Sequence, residues 1–239
     1  VPAVELSGGR PVYCPLRFPG YSIDWDMVND SITPKTRLMI LNSPHNPTGS
    51  VLSAEDLKSL IDIIANTRIL IVSDEVYEHM VFDGQQHQSA ARFPGLAARA
   101  FIVSSFGKTY HVTGWKVGYV AAPAVLTAEF RKVHQFNVFT VNTPMQHGLA
   151  AFMADASHHL NLPAFYQRKR DLFRAGLAGS RCRLLPSEGS YFQCVDYAAI
   201  SEQSEEEFCR RLTTEAGVAA IPLSAFYGKD KVHAVLSPY

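Results

Sequence analysis

The stretch RLMILNSPHNPTG, residues 37–49, decides the fold class of this chain. Its first half is a continuous apolar run, which is typical of a β-strand covered on both faces. Its second half is rich in Pro and Asn and ends in Gly, which favours a turn. A helix is predicted next, because Ser53 is a suitable N-cap and Asp56 stands three residues later, as in a capping box. This order of strand, turn and helix indicates an α/β layer fold.

Three more strand-like runs follow along the first two thirds of the chain. They cover residues 69–72, 100–103 and 117–121, and helix-like segments lie between them. Apolar strands that alternate with helices predict a mostly parallel central sheet sandwiched by helices.

The last third of the chain has a different pattern. Residues 156–177 are predicted to form one long helical stretch, and a second helix is predicted to begin after Ser204 and to end at Gly217. Only short strand-like segments accompany them. We therefore expect a large domain over residues 1–155 and a smaller α+β domain over residues 156–239.

The composition is that of an ordinary globular protein. Hydrophobic residues make up 47% of the 239 residues and charged residues 18%, which excludes a mainly disordered chain. Lys and Arg together number 22, as do Asp and Glu, so the formal net charge of zero gives no footprint for nucleic acid or an anionic membrane. No apolar run approaches the ~18–20 residues of a membrane-spanning helix. Neither nucleic acid nor a membrane is expected as a partner.

The cysteines and the first residues give two further expectations. Cys14, Cys182, Cys194 and Cys209 are far apart and form no CxxC pair, which fits reduced thiols in a cytoplasmic protein better than disulfides or a zinc site. The chain does not begin with Met, and residues 1–16 resemble the middle of a domain. A piece of a longer protein is therefore expected.

Polar side chains follow three of the predicted strands. Asn46, Asp74 and Lys108 each come shortly after an apolar run. Ligands of an open α/β sheet bind at the carboxyl ends of its strands, so these side chains are expected to meet at one edge. Taken singly, each has an ordinary explanation as a turn residue, a helix cap or a solvated amine. Their convergence is what favours a site.

Lys108 has the most specific chemistry of the three. A lysine amine forms a Schiff base only when deprotonated, so it needs a sheltered or cation-rich site. Lys116 could supply that positive charge, or it could bind a cofactor phosphate. Asp74 is the kind of carboxylate that the pyridinium nitrogen of pyridoxal phosphate requires, and Tyr77 and Asn46 could hydrogen-bond the phenolic oxygen of that ring.

Three motifs in this order resemble those of the class I/II aminotransferases of pyridoxal-phosphate fold type I. They are residues 43–49 (SPHNPTG), 73–77 (SDEVY) and 104–119, which begin with SSFGKT and end with GWKVGY. The resemblance is closest to the branch of methionine aminotransferases and kynurenine/glutamine transaminases, and it extends from Val1 to about Tyr227. It implies a homodimeric transaminase that moves an amino group between a methionine, aromatic, kynurenine or glutamine-like amino acid and a 2-oxo acid.

The resemblance gives a role to each matching residue of the sheet edge. Lys108 would form the internal aldimine with pyridoxal 5′-phosphate and would shuttle the proton between substrate and cofactor. Asp74 would pair with the pyridine nitrogen. Asn46 and Tyr77 would bond the phenolic oxygen, and Asn46 would also contact the substrate. A cis peptide bond at Asn46–Pro47 is expected, because it would aim the Asn46 side chain into the site.

Three further residues receive roles from the resemblance. Ser105 and Lys116 would bind the cofactor phosphate. Most of the superfamily has Arg where this chain has Lys116. The ammonium of Lys116 is a point charge, whereas the guanidinium of Arg can donate two parallel hydrogen bonds. Phe139 matches a segment that reaches the active site of the partner subunit in this branch.

The family also has parts that this chain lacks. Its N-terminal third holds a phosphate-binding helix N-terminus, an aromatic residue that stacks on the ring, and a tyrosine from the partner subunit. Its substrate-carboxylate arginine follows a segment like residues 221–227, but no Arg occurs here after Arg211. An incomplete aminotransferase without full activity is therefore expected.

Two other functions remain open from the sequence. A carbon–sulfur β-lyase on the same scaffold would release ammonia and pyruvate instead of a new amino acid. Aminotransferase-like domains also serve as ligand-sensing modules of transcription regulators, which an upstream winged-helix segment would favour. The GWKVGY motif favours the enzyme over the regulator.

The remaining polar clusters predict no site. The histidines, including His158 and His159, lack the spacing of metal ligands, and no metal is expected. A basic run is expected to be a solvated helix face; its members are Arg168, Lys169, Arg170 and Arg174.

Overall fold

The computed structural model describes residues 1–227 and the strand at residues 234–238. The helices of this part are α1 (Pro2–Leu6), α2 (Trp25–Asp30), α3 (Ala54–Ile64), α4 (Pro94–Ala97), α5 (Phe106–Thr109), α6 (Ala124–Asn137), α7 (Thr143–Phe152), α8 (Ser157–Leu160), α9 (Leu162–Gly176) and α10 (Glu205–Ala216). The strands are β1 (Leu38–Asn42), β2 (Leu70–Asp74), β3 (Ala100–Ser105), β4 (Gly118–Ala121), β5 (Arg183–Leu184), β6 (Phe192–Asp196), β7 (Ile221–Pro222) and β8 (Ala234–Pro238).

The strands form two separate sheets. The first has the order β1-β2-β3-β4, with β1, β2 and β3 parallel and β4 antiparallel to β3. The second has the order β5-β6-β8-β7, and all of its pairs are antiparallel. The predicted α/β class with a mostly parallel central sheet is confirmed. The division at residue 155 stays a prediction.

The parallel sheet brings three strand ends to one edge. The register pairs Asn42 with Asp74, and Asp74 with Val103. Because the three strands run in the same direction, the segments that leave them start side by side. The candidate residues Asn46, Asp74 and Lys108 all belong to these segments.

Helix α3 begins where the capping residues near position 53 predict that it begins. The Ser53 side chain accepts a bond from the Asp56 N–H, and the Asp56 carboxylate accepts one from the Ser53 N–H, so the predicted capping box is present. Such a cap contributes about 1 kcal/mol. Leu57, Leu60 and Ile64 are buried on one face and pack in the core beneath the first sheet. Burying each of them stabilises the fold by roughly 1.5–3 kcal/mol.

Some predicted elements have different limits in the structure. The helical stretch of residues 156–177 is two helices, α8 and α9, which are separated at Asn161. The strand expected over residues 218–221 is reduced to β7, because Val218 belongs to the turn after α10 and its N–H bonds to Leu212. The caps of α10 at Ser204 and Gly217 are where the sequence predicts them.

No helix among the described residues is long and apolar enough to span a lipid bilayer.

The prediction of a solvated basic face on α9 is wrong for Arg170. Its side chain is 8% exposed, and its guanidinium makes two 2.7 Å bonds to the Asp83 carboxylate and one of 2.9 Å to the Ser187 carbonyl oxygen. The bonds from Arg170 hold the pKa of Asp83 below its usual range. Arg174 likewise reaches inward, to the Gln193 side chain. Sequence periodicity missed this because the partners lie on distant segments.

We expect Arg170→Ala to lower the free energy of unfolding by about 2–4 kcal/mol, because a buried carbonyl loses a charged donor and a bidentate ion pair is lost. Urea unfolding measures the change. Arg168→Ala is the matched control, since Arg168 is exposed on the same helix and its removal should cost at most about 0.5 kcal/mol. Equal midpoints for the two variants would show that the buried pair adds no stability.

Candidate active site

Asn42 joins two of the strand ends. Its side-chain amide donates to the Asp74 carbonyl oxygen at 3.0 Å, and its side-chain oxygen accepts from the Asn46 N–H at 2.8 Å. The last residue of β1 thus fixes the loop that carries Asn46 against the end of β2. Sequence reasoning missed Asn42, because an Asn at the end of an apolar run is an ordinary turn signal.

The loop of residues 43–49 has the backbone that the sequence predicts. The Asn46–Pro47 peptide bond is cis, as expected, and so is Ser43–Pro44. Gly49 has a φ of 74°, and a Cβ there would lie 3.0 Å from the Gly189 carbonyl oxygen. Glycine is therefore needed at this turn, both for its backbone angle and for the close approach.

His45 is held inside the same loop as a neutral ring. Its Nδ1 lies 2.8 Å from the Thr48 hydroxyl, and burial lowers its pKa to about 4. A neutral ring can accept the Thr48 hydroxyl bond at Nδ1, whereas a protonated ring cannot. Protonation of His45 would therefore strain the loop next to Asn46.

Asp74 is a carboxylate that a neighbouring cation would stabilise. Burial raises its pKa, the adjacent Glu75 adds to that effect, and a bond from the Val76 N–H opposes it. The charged form is thus disfavoured by the protein alone. A positive charge at this carboxylate would reverse the balance.

Tyr77 packs beneath the loop and faces Asn46. It is 1% exposed, and its hydroxyl oxygen accepts from the Asn46 amide at 3.5 Å. Burial raises the pKa of Tyr77, with a further contribution from the Tyr191 hydroxyl, so the phenol stays neutral and able to donate. Asn46 is exposed, which leaves its amide available to a ligand.

Lys108 lies on α5, which begins directly after β3. Its amine donates to the Tyr191 hydroxyl at 2.8 Å. The Tyr191 ring makes an edge contact with Tyr77, with centroids 5.3 Å apart. The structure therefore brings Lys108, Tyr77 and Asn46 into one cluster through Tyr191, which sequence reasoning did not identify.

Ser105 and Lys116 lie on the segments before and after α5. The Ser105 hydroxyl caps α5 by accepting from the Gly107 N–H at 3.1 Å, and it also lies 3.4 Å from the Val117 carbonyl oxygen. Lys116 is exposed and has a left-handed backbone with φ of 54°. The phosphate roles of both residues, and the influence of Lys116 on the Lys108 amine, stay predictions.

Phe139 lies away from this cluster, just after α6. It is 79% exposed, and α6 presents four more exposed apolar side chains, those of Val125, Phe130, Val133 and Phe136. An exposed apolar patch of this kind is typical of a surface that another chain covers. The predicted contact of Phe139 with a partner subunit stays a prediction.

Glu75 is a second buried carboxylate beside Asp74, and sequence reasoning missed it too. It is 1% exposed and accepts bonds from the Ser73 hydroxyl, the His87 ring and the Ala90 N–H at 2.8–3.0 Å. Burial alone would raise the pKa of Glu75, but the bonds that it accepts lower it overall. Glu75 is therefore a structural anion that fixes the end of β2.

The fold and this cluster define a class of protein. A model of the family described as aminotransferase class I and II matches residues 1–232, and the chain belongs to that family. Among solved structures, the chain superposes with a TM-score of 0.97 on YbdL from Escherichia coli, described as having a methionine aminotransferase function, at 48% identity over all of this chain and 64% of that one. N-succinyldiaminopimelate aminotransferase from Mycobacterium tuberculosis gives a TM-score of 0.92 at 37% identity, over all of this chain and 63% of that one. The fold is that of pyridoxal-phosphate fold type I.

Curated relatives place the chain within the family. Methionine aminotransferase of Escherichia coli is 49% identical over 236 residues, which are 98% of this chain and 61% of the relative. Kynurenine–oxoglutarate transaminase of Dictyostelium discoideum is 35% identical over 88% of this chain and 53% of the relative. The chain thus spans between about half and two thirds of the length of such relatives.

The partly buried ring of His45 makes the stability of the site loop depend on pH. The pKa is about 6.5 in an unfolded chain and about 4 in the folded one, so the unfolded state binds the proton first as pH falls. The unfolding free energy is then largest above pH 6.5 and declines toward pH 4. Between pH 7.5 and pH 5 the contribution of His45 to this decline is about 2 kcal/mol.

Urea unfolding at both pH values of the wild type and of His45→Gln checks this expectation. The variant should lose less stability on acidification than the wild type. His147→Gln is the control, because His147 is exposed and its removal should leave the decline in place. The same decline in His45→Gln as in the wild type would remove His45 as its source.

Proposed function

We propose that the protein is a transaminase that uses pyridoxal 5′-phosphate to move an amino group between an amino acid and a 2-oxo acid. The observation that carries the proposal is the convergence of Lys108, Asp74, Tyr77 and Asn46 on one sheet edge in a chain of the aminotransferase family. The names of the relatives support methionine, kynurenine and similar amino acids as substrates.

The residues at the sheet edge fit this cofactor. When bound, its conjugated ring supplies a sink for the electrons of the bond that breaks at the substrate Cα. Asp74 would hold the protonated ring nitrogen, and that cation would offset the burial that disfavours the carboxylate. The long 3.5 Å bond between Asn46 and Tyr77 leaves both groups free to turn toward a phenolic oxygen between them.

Lys108 has two tasks in this proposal. Its amine would carry the cofactor at rest and would then move the proton at the substrate Cα. Its place on α5, immediately after β3, keeps the amine at the sheet edge beside Tyr191, whose ring contacts Tyr77. Ser105 and Lys116 would bind the phosphate, Ser105 by its hydroxyl and Lys116 by charge.

We also propose that the protein acts as a homodimer in the cytoplasm. The exposed apolar side chains on and after α6, with Phe139 among them, form a patch that a second subunit would cover. Phe139 would then reach the site of that subunit. The four free thiols are typical of a reducing compartment.

The covalent role of Lys108 is tested on the protein translated from the complete reading frame that contains this sequence. With pyridoxal 5′-phosphate added, borohydride reduction followed by peptide mapping should place the pyridoxyl adduct on Lys108. Lys108→Ala should still hold the cofactor through its other contacts but should transaminate negligibly, because the proton at Cα has no acceptor. The measurement is amino-acid product formed from a 2-oxo acid.

Lys132→Ala is the matched control for Lys108, because Lys132 is exposed and pairs only with the nearby Glu129 across one turn of α6 in the described structure. It should transaminate normally. An adduct on Lys116 or Lys132, or normal turnover by Lys108→Ala, contradicts the proposed mechanism. Ammonia and a 2-oxo acid as the main products, without a new amino acid, would indicate lyase chemistry.

Asp74→Asn should keep the cofactor bound but slow proton removal from Cα by roughly 10- to 100-fold, which corresponds to about 1.5–3 kcal/mol for a lost charge-assisted bond. The neutral amide cannot hold the ring nitrogen as a cation. Stopped-flow measurement of the amino-acid half-reaction gives the rate, and absorbance gives the bound cofactor. Asp62→Asn, at an exposed position of α3, is the control; a wild-type rate in Asp74→Asn removes Asp74 from this role.

A further inference from the structure

We propose that Tyr191 is a positioning residue that presents the amine of Lys108 for attachment of the cofactor, an inference that rests on the proposed function. Its hydroxyl accepts the 2.8 Å bond from the Lys108 amine. No sequence signal marks it, because it stands 83 residues after Lys108, directly before β6 of the second sheet.

The backbone before Tyr191 is built to fix the direction of its side chain. Ser190 is fully buried with a φ of 62°, a left-handed conformation that costs about 1–3 kcal/mol in a non-glycine residue. Its N–H donates to the Met80 carbonyl oxygen at 2.8 Å. At Gly189 a Cβ would lie 2.7 Å from that same oxygen and 2.8 Å from the Pro44 side chain. The turn therefore lies directly against the loop that carries Asn46.

Two more backbone bonds lock this turn to the loop of residues 43–49. The N–H groups of Glu188 and Gly189 both donate to the Gly49 carbonyl oxygen at 2.9 Å. As a result, the segment that carries Tyr191 and the loop that carries Asn46 move as one unit. This backbone contact, and not side-chain packing alone, therefore sets the distance from the Tyr191 hydroxyl to Asn46, a proposed ligand of the phenolic oxygen of the cofactor.

The ring of Tyr191 is held from two sides. Tyr77 meets it edge to face at 5.3 Å between centroids, and Tyr166 of α9 stacks on it at 5.8 Å. Aromatic contacts of this geometry are favourable and restrict the ring to one orientation. The hydroxyl consequently has a fixed position, and a flexible lysine that binds to it acquires one too.

The direction of the hydrogen bond from Lys108 to Tyr191 favours attachment of the cofactor to the Lys108 amine. The Lys108 amine is the donor, so its lone pair stays free when the amine is neutral. Attachment forms a C=N bond between this nitrogen and the aldehyde carbon of the cofactor, and both amine hydrogens leave with the aldehyde oxygen as one water. An amine already ordered beside Tyr77 and Asn46 reacts faster than one that samples many rotamers.

The test compares attachment with simple binding in the cofactor-free protein from the complete reading frame. Rapid mixing with pyridoxal 5′-phosphate gives the attachment rate by absorbance, and borohydride trapping shows the labelled lysine. Pyridoxine 5′-phosphate, which has no aldehyde, gives the dissociation constant for binding without attachment. Tyr191→Phe should slow attachment roughly tenfold and change the dissociation constant by less than about twofold.

Tyr166→Phe is the matched control, since it alters the other ring of the stack, whose hydroxyl lies 3.4 Å from His111 instead of Lys108. It should attach the cofactor at the wild-type rate. Three results would overturn the inference: an unchanged rate in Tyr191→Phe, an equal loss in Tyr166→Phe, or weaker binding of pyridoxine 5′-phosphate that accounts for the slower attachment. Absence of an adduct on Lys108 in the wild type would instead overturn the proposed function, and this inference with it.

Discussion

The carbonyl oxygen of Gly49 is the point on which the rest of the site depends. It accepts two backbone N–H bonds, from Glu188 and Gly189, and so joins the loop after β1 to the turn before β6. These two segments belong to different sheets, and Lys108 and Tyr191 approach each other across the same junction. A side chain at either glycine would push the segments apart, since a Cβ at Gly49 would lie 3.0 Å from the Gly189 carbonyl oxygen and one at Gly189 would lie 2.8 Å from the Pro44 side chain. The junction therefore sets the geometry of the site as well as the contact between the sheets.

Two adjacent carboxylates at the end of β2, those of Asp74 and Glu75, have different surroundings, and these surroundings suit Glu75 to a structural role and Asp74 to a chemical one. Glu75 is nearly fully buried and accepts bonds from three donors, which lower its pKa in spite of burial. Asp74 is not compensated in this way, and burial raises its pKa. One carboxylate is satisfied by the protein, whereas the other accepts one bond, from the Val76 N–H, and would be stabilised by a cation from outside. Asp74 is thus distinguished from Glu75, as the candidate ligand of a pyridinium nitrogen, by the number of hydrogen bonds that its carboxylate accepts and not by the type of residue.

Much of the fold and several features of the candidate site could be predicted from local patterns. The strands ending near Asn42, Asp74 and Ser105, the capping box of Ser53 and the cis bond before Pro47 all follow from short-range chemistry or from the family motifs. The predictions were wrong where contacts with residues that are distant in the sequence determine how a side chain is buried. Arg170 reads as a solvated charge in the pattern of α9, but Asp83 and Ser187, from two other segments, bury it. The helix break at Asn161 and the short β7 likewise fall at element ends, which local signals fix least well.

By itself, the sequence determined the order of elements and the parallel sheet edge, because these depend on periodicity and turn chemistry within a few residues. Its family motifs also named the candidate residues for a pyridoxal-phosphate ring, which stay a prediction. Only the tertiary structure decided which hydroxyl meets the Lys108 amine, which carboxylate is left uncompensated, and how the second sheet closes on the first. Tyr191 and Lys108 are 83 residues apart, and nothing local to either specifies the other. Their contact exists because β3 brings Lys108 to the same sheet edge at which backbone hydrogen bonds from Glu188 and Gly189 to Gly49 hold the segment that carries Tyr191.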